Sequence, residues 1–136
     1  MLRAKALDHV GLKVTDMDRS VHFYQTLGLE LLRRSGPKAD GEESAVLKVG
    51  GQEINVFYQP DFASTETETP GGIDHFCFEM DAASIDQLIG DLRDAGIDVA
   101  KGPVERRDGT SVFVSDPSGV RVELRLGNAK APGPDR

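Results

Sequence analysis

The chain has 136 residues, 38% of them hydrophobic, enough for one compact domain or two half-domains whose core comes mostly from amphipathic elements. Sixteen Lys and Arg against 23 Asp and Glu leave a net charge of −7, which argues against nucleic acid or an anionic membrane as partner. Cys77 is the only cysteine, so no intrachain disulfide forms and a reducing cytoplasm is expected; no apolar run is long enough to span a membrane, and no apolar segment follows Arg3 and Lys5 as a secretory signal would require.

In chain order, LDHVGLKV (7–14) alternates: Val10, Leu12 and Val14 share one face with Asp8, and His9, Gly11 and Lys13 share the other, as in a strand buried on one side. Thr15 or Asp16 then caps a helix in which Met17, Val21, Tyr24 and Leu27 recur at helical spacing, and Gly28 occupies the left-handed stop. A strand near Glu30–Arg33, a polar loop and two strands at 45–49 and 53–58, joined at Gly50-Gly51, complete a first module of about 5–59. A polar, acidic linker over 60–72 follows. The second module, about 73–126, repeats the order. IDHFCFEM is its first strand; Ile85, Leu88, Ile89, Leu92 and Ala95 form a helix stripe ending at Gly96; strands are predicted near 97–101, 110–115 and 120–126, the last two joined by Asp116-Pro117-Ser118-Gly119. The tail, 127–136, reads as disordered.

The two modules are copies of one another. LDHVGL aligns with IDHFCF, placing His9 on His75, 66 residues apart, and later in the chain Gly28 falls on Gly96, Gly51 on Gly119 and Asn55 on Glu123. Alternation puts His9 and His75 on the strand faces opposite their apolar neighbours, His75 together with Cys77 and Glu79. On the last strand Val122 and Leu124 take the apolar side, while Arg121, Glu123 and Arg125 take the other. Two imidazoles and one carboxylate from three strands, His9, His75 and Glu123, can thus converge on a divalent metal and leave positions open for water or substrate.

Plainer readings stand beside this one. The histidines can be unrelated core or surface residues, and Glu123 can be a solvated partner of Arg121 or Arg125. Asn55 can be structural or contact substrate. Asp8 and Asp74, which alternation turns away from their neighbouring histidines, read as structural. His22 reads as exposed and Cys77 as an inert thiol. Lys13, Phe57, Cys77, Glu79, Arg121 and Arg125 are candidates for lining a pocket, where a basic residue would favour an anionic or oxygen-rich substrate; a surface ion-pair network accounts for the charged ones equally well.

The segments LDHVGLKVTDMDRSVHFYQTLGLEL, GIDHFCFEM and FVSDPSGVRVELR resemble the vicinal oxygen chelate superfamily of glyoxalase I, bleomycin-resistance proteins, fosfomycin-resistance thiol transferases, methylmalonyl-CoA epimerase and extradiol dioxygenases. The resemblance spans both modules. It implies an α+β fold, one domain of two β-α-β-β-β modules forming a curved sheet around a metal site, with ligand positions falling on His9, Asn55, His75 and Glu123. It implies a cytoplasmic homodimer, in which a site can combine ligands of two chains, and one divalent ion per site (Fe, Mn, Ni, Co or Zn). It also implies a small substrate that chelates the ion through adjacent oxygens, in a lyase/isomerase or dioxygenase reaction, with Glu123 as the catalytic proton carrier. Asn55 departs from the pattern: glyoxalase I has a glutamate there and the epimerase a glutamine, and an asparagine amide cannot replace a carboxylate in proton transfer. The resemblance leaves two other roles open, a non-catalytic drug-binding resistance protein of the bleomycin type and a fosfomycin-type thiol transferase.

Overall fold

The structure, a computed structural model, describes residues 1–61, 73–106 and 108–127. The expected linker, from residue 62 on, and the expected tail, from residue 128 on, lie outside the described residues. The chain divides into two compact units, 1–63 and 64–136.

The first unit runs β1 (His9–Val14), α1 (Met17–Thr26), β2 (Glu30–Ser35), β3 (Ser44–Val49) and β4 (Gln52–Tyr58). Its sheet has the order β1-β4-β3-β2, with β1 parallel to β4 and the other pairs antiparallel. The parallel pair needs a crossover, and α1 with the β2–β3 hairpin supplies it. Asp16 is the cap: its Oδ1 accepts from the Arg19 N–H at 3.0 Å. Met17, Val21 and Tyr24 are buried against the sheet as the stripe predicts, with Phe23 added. The Phe23 and Tyr24 rings meet edge to face, centroids 4.9 Å apart. Leu27 is the helix C-cap, and Gly28 follows with φ of 107°, the positive value expected of the stop.

The second unit repeats the topology: β5 (Phe76–Glu79), α2 (Ile85–Asp94), β6 (Lys101–Arg106), β7 (Gly109–Ser115) and β8 (Arg121–Gly127), in the order β5-β8-β7-β6. The Ser84 hydroxyl accepts from the Gln87 N–H at 3.1 Å, and the Gln87 side-chain oxygen accepts in return from the Ala83 N–H at 3.1 Å. Removing the cap hydroxyl, Ser84→Ala, is expected to lower unfolding free energy by about 1 kcal/mol, read as a shift of the urea midpoint. Leu88 and Leu92 carry the buried stripe of α2, whereas Ala95 is exposed. In the turn between β7 and β8, Asp116 is 4% exposed and its Oδ1 accepts from the N–H groups of Ser118 and Val120, each at 2.8 Å.

Two strand boundaries differ from the sequence reading. The strand predicted near 97–101 is β6, which starts only at Lys101 and runs through Gly102-Pro103, with a register shift between Lys101 and Val104. β6 is an edge strand, so Pro103 can sit in it without withholding a ladder donor. Before it, Ile97 and Val99 alternate like a strand, yet only Ala100 bonds to β7, through the Phe113 carbonyl. The second boundary concerns the histidines: β1 starts at His9, and β5 starts one residue after His75. No helix among the described residues is long and apolar enough to cross a membrane.

Candidate functional site

The chemistry of the second unit collects on one face of its sheet. Parallel pairing sets Cys77 opposite Glu123, so His75, two residues earlier on the same side, lies diagonal to that carboxylate. The two meet: His75 Nε2 is 3.0 Å from Glu123 Oε1. Glu123 is only 7% exposed, and its other oxygen, Oε2, accepts a 2.6 Å hydrogen bond from the fully buried Ser111 hydroxyl. The Phe113 ring, in register with Glu123, stands edge-on to the imidazole at 5.6 Å, and the Lys101 ammonium lies 5.5 Å from the same ring. Thus three strands and the residue ahead of β5 hold one imidazole and one carboxylate in contact.

Asp74 completes this group, against the sequence expectation. Its Oδ2 is 2.7 Å from His75 Nδ1, and in the first unit Asp8 Oδ2 is 2.9 Å from His9 Nδ1. Alternation is a property of paired, pleated backbone. Asp8 and Asp74 precede the strands, so their carboxylates are free to curl onto the neighbouring ring. A carboxylate on Nδ1 fixes the imidazole tautomer and leaves Nε2 as the outward nitrogen, which is the outer-shell arrangement of metal-ligating histidines. The His75 hydrogen bond, helped by the Arg121 charge, holds the Asp74 carboxyl below its ordinary range. The Arg121–Asp74 pair itself is exposed, at 3.5 Å, and adds little.

In the first unit Asn55 stands where Glu123 stands in the second: it pairs with Gly11 across β1–β4 as Glu123 pairs with Cys77 across β5–β8. Its Oδ1 is buried and accepts no hydrogen bond. Gly11 leaves the space above β1 to Phe57, whose ring would lie 3.5 Å from a Cβ placed there.

The remaining candidates are spread over both units. Lys13 is exposed and in register with Phe57, itself exposed; Cys77 is exposed and in no disulfide. His22 is exposed on α1 as expected. Arg125 points inward: its side chain is 7% exposed and ion-paired with Glu79 and with Asp108, the latter at 2.9 Å. The structure brings two of the three expected ligands together, His75 and Glu123; His9 belongs to the first unit. Among the described residues no group of three or more His, Cys, Asp or Glu side chains is disposed to hold a metal ion. The pair itself suits one. A ring nitrogen and a carboxylate oxygen 3.0 Å apart call for a proton or a cation between them.

Two β-α-β-β-β units, each with an Asp-His pair at its first strand and a polar residue diagonal to the histidine on its last, define a duplicated α+β scaffold that presents histidine and carboxylate on a sheet face. The chain belongs to the Glyoxalase/Bleomycin resistance protein/Dioxygenase superfamily, whose family model matches residues 6–124. Virulence protein STM3117 of Salmonella typhimurium is 31% identical over 124 residues, covering 87% of this chain and 81% of that protein. Metallothiol transferase FosB of Shouchella clausii is 27% identical over 123 residues, covering 89% of this chain and 80% of FosB. Among solved structures, the glyoxalase family protein from Enterococcus faecalis superposes with a TM-score of 0.73 at 26% identity, covering 89% of this chain and 97% of that one.

Proposed function

We propose that this protein is a divalent-metal-dependent enzyme acting on a small substrate that chelates the ion through adjacent oxygens, with His75 and Glu123 as ligands and His9 as the third. The observation that carries this reading is the contact of His75 Nε2 with Glu123 Oε1, with Asp74 on the far side of the ring. When bound, the ion supplies Lewis-acid polarisation of the chelating oxygens. Asp74 keeps the His75 ring turned so that Nε2 faces the site. Glu123 offers Oε1, since Oε2 is engaged by Ser111, and Oε1 is the atom placed to take up or release a proton. Asn55 contributes an oxygen acceptor and no base.

That single carboxylate bears on the reaction. An isomerisation that moves a proton between two positioned carboxylates lacks its second base here, so slow turnover of hemithioacetals is expected. Asn55→Glu is expected to raise it toward the roughly 100-fold contribution of a positioned general base, measured as kcat/KM. A second reading, transfer of a thiol onto a small oxygenated substrate, is favoured by the likeness to FosB, which is named as a metallothiol transferase.

Metal analysis of the purified protein tests the proposal, followed by assays with hemithioacetals, with catechols under oxygen-uptake recording, and with fosfomycin plus thiols. Stoichiometric uptake of Mn²⁺, Ni²⁺, Co²⁺, Zn²⁺ or Fe²⁺ is expected. The reading fails if none is taken up and His75→Ala alters neither metal content nor thermal stability in added Mn²⁺ or Ni²⁺.

A further inference from the structure

We propose that Ser111 is a positioning residue for the metal-binding carboxylate: its hydroxyl turns Glu123 so that one oxygen only, Oε1, is presented beside His75, and this sets the affinity of the pair for a divalent cation. The inference rests on the reading above and goes further, to a residue that acts through Glu123.

Three observations carry it. Ser111 Oγ is 2.6 Å from Glu123 Oε2, and Ser111 has no solvent exposure. A serine hydroxyl on a buried carboxylate donates a charge-assisted bond, stronger than one between neutral groups. Secondly, Ser111 itself is held. It pairs with Val104 on one side and Arg125 on the other, in the centre of a three-strand ladder, and β6 approaches so closely at Gly102 that a Cβ there would lie 2.9 Å from the Ser111 carbonyl oxygen. The hydroxyl thus has a fixed origin from which to orient a side chain with three rotatable bonds. Thirdly, the first unit provides an internal comparison. Ser44 pairs with Phe57, two residues beyond Asn55, as Ser111 pairs with Arg125, two residues beyond Glu123. The Asn55 oxygen nonetheless accepts no hydrogen bond. The hydroxyl clamp is therefore made on the carboxylate side of the repeat and not on the amide side, so it does not follow simply from a serine at that place in the β-α-β-β-β frame.

The prediction concerns affinity and geometry. Without the hydroxyl, Oε2 loses the Ser111 donor and the carboxylate is held less firmly. Ser111→Ala in the full chain is expected to weaken Mn²⁺ binding about 10- to 100-fold by calorimetry, the range found for outer-shell partners of metal ligands. It is also expected to change the visible absorption of the Co²⁺-loaded protein, which reports ligand geometry. Ser111→Thr keeps the hydroxyl and is expected to restore both. If crowding beneath Gly102 unfolds that variant, the double variant Ser111→Ala/Glu123→Gln decides: it should bind Mn²⁺ no more weakly than Glu123→Gln alone, since the serine acts through the carboxylate.

Wild-type affinity and an unchanged Co²⁺ spectrum in Ser111→Ala, with binding lost in Glu123→Gln, would overturn the positioning role and leave the proposed function standing. Additive losses in the double variant would also overturn it, by showing that Ser111 acts independently of Glu123. A wild-type protein that takes up neither Mn²⁺ nor Co²⁺ overturns both readings.

Discussion

Arg125→Met is expected to destabilise the protein by about 3 kcal/mol. The guanidinium holds three acceptors together. It pairs with Glu79 across β5–β8, with Asp108 Oδ2 at 2.9 Å, and donates to the Asp108 carbonyl at 2.7 Å. Its hydrogen bond to Asp108, above all, with Glu79 adding to it, raises its already high pKa, so it stays charged throughout the accessible pH range. Gly127 is part of the arrangement: a Cβ there would fall 2.7 Å from both Arg125 Nη1 and Glu79 Oε2, and its N–H donates to Glu79 Oε2 at 3.2 Å. Methionine retains the apolar stem but withdraws the charge from Asp108, whose side chain is only 17% exposed. Breaking a buried pair from one side costs about 3–5 kcal/mol, and the 57% exposure of Glu79 places this case at the low end. Urea unfolding checks it. A loss below about 1 kcal/mol would mean that the network behaves as a surface pair. Adding Asp108→Asn to the variant should recover part of the loss, because the second change removes the charge whose partner was taken away.

Arg125 also illustrates what could be read before the fold was known. Its face was legible, because alternation along β8 separates Val122 and Leu124 from Glu123 and Arg125. Its burial was not: both faces of β8 at these positions are covered, and that depends on Asp108 arriving from the β6–β7 turn. The same division runs through the site. The duplication made the topology of each unit predictable, and the helix stops at Gly28 and Gly96 both carry the positive φ that their places demanded. Local rules failed where local structure ends. Asp8 and Asp74 lie ahead of the ladders, and outside a ladder the pleat no longer dictates side. Ser111 escaped notice for a different reason. Its meeting with Glu123 depends on the β7–β8 register, which a sequence with no second serine–glutamate diagonal does not betray. The repeated Asp-His dipeptide was a visible signal that alternation overrode: an acid kept beside each histidine already suggests a partner for its ring.

Glu123→Gln is expected to abolish high-affinity metal binding while leaving the metal-free fold nearly intact. Glutamine matches the glutamate in shape. Its amide can still meet the Ser111 hydroxyl and the His75 ring, which both hold the carboxylate now. What disappears is the negative charge, in a side chain only 7% exposed. Replacing a buried charge by a neutral isostere costs the metal-free protein little, within about 1 kcal/mol, because the desolvation penalty of the carboxylate is lifted along with its attraction to neighbours. The cation loses its only anionic ligand in the pair. A 100-fold weaker site has a simple signature by mass action. At an ion concentration about 100 times the wild-type dissociation constant, wild type gains about 2.7 kcal/mol of stability, whereas the variant, then at its own dissociation constant, gains about 0.4 kcal/mol. Parallel thermal melts with and without Mn²⁺ read that difference directly. His75→Ala should show the same loss of metal-dependent stabilisation, but with a lower metal-free midpoint, since it strips Glu123 and Asp74 of their shared partner and removes the ring packed on Phe113. If Glu123→Gln gained as much from Mn²⁺ as wild type, the ion would sit elsewhere, and the histidine–carboxylate pair would be a structural contact alone.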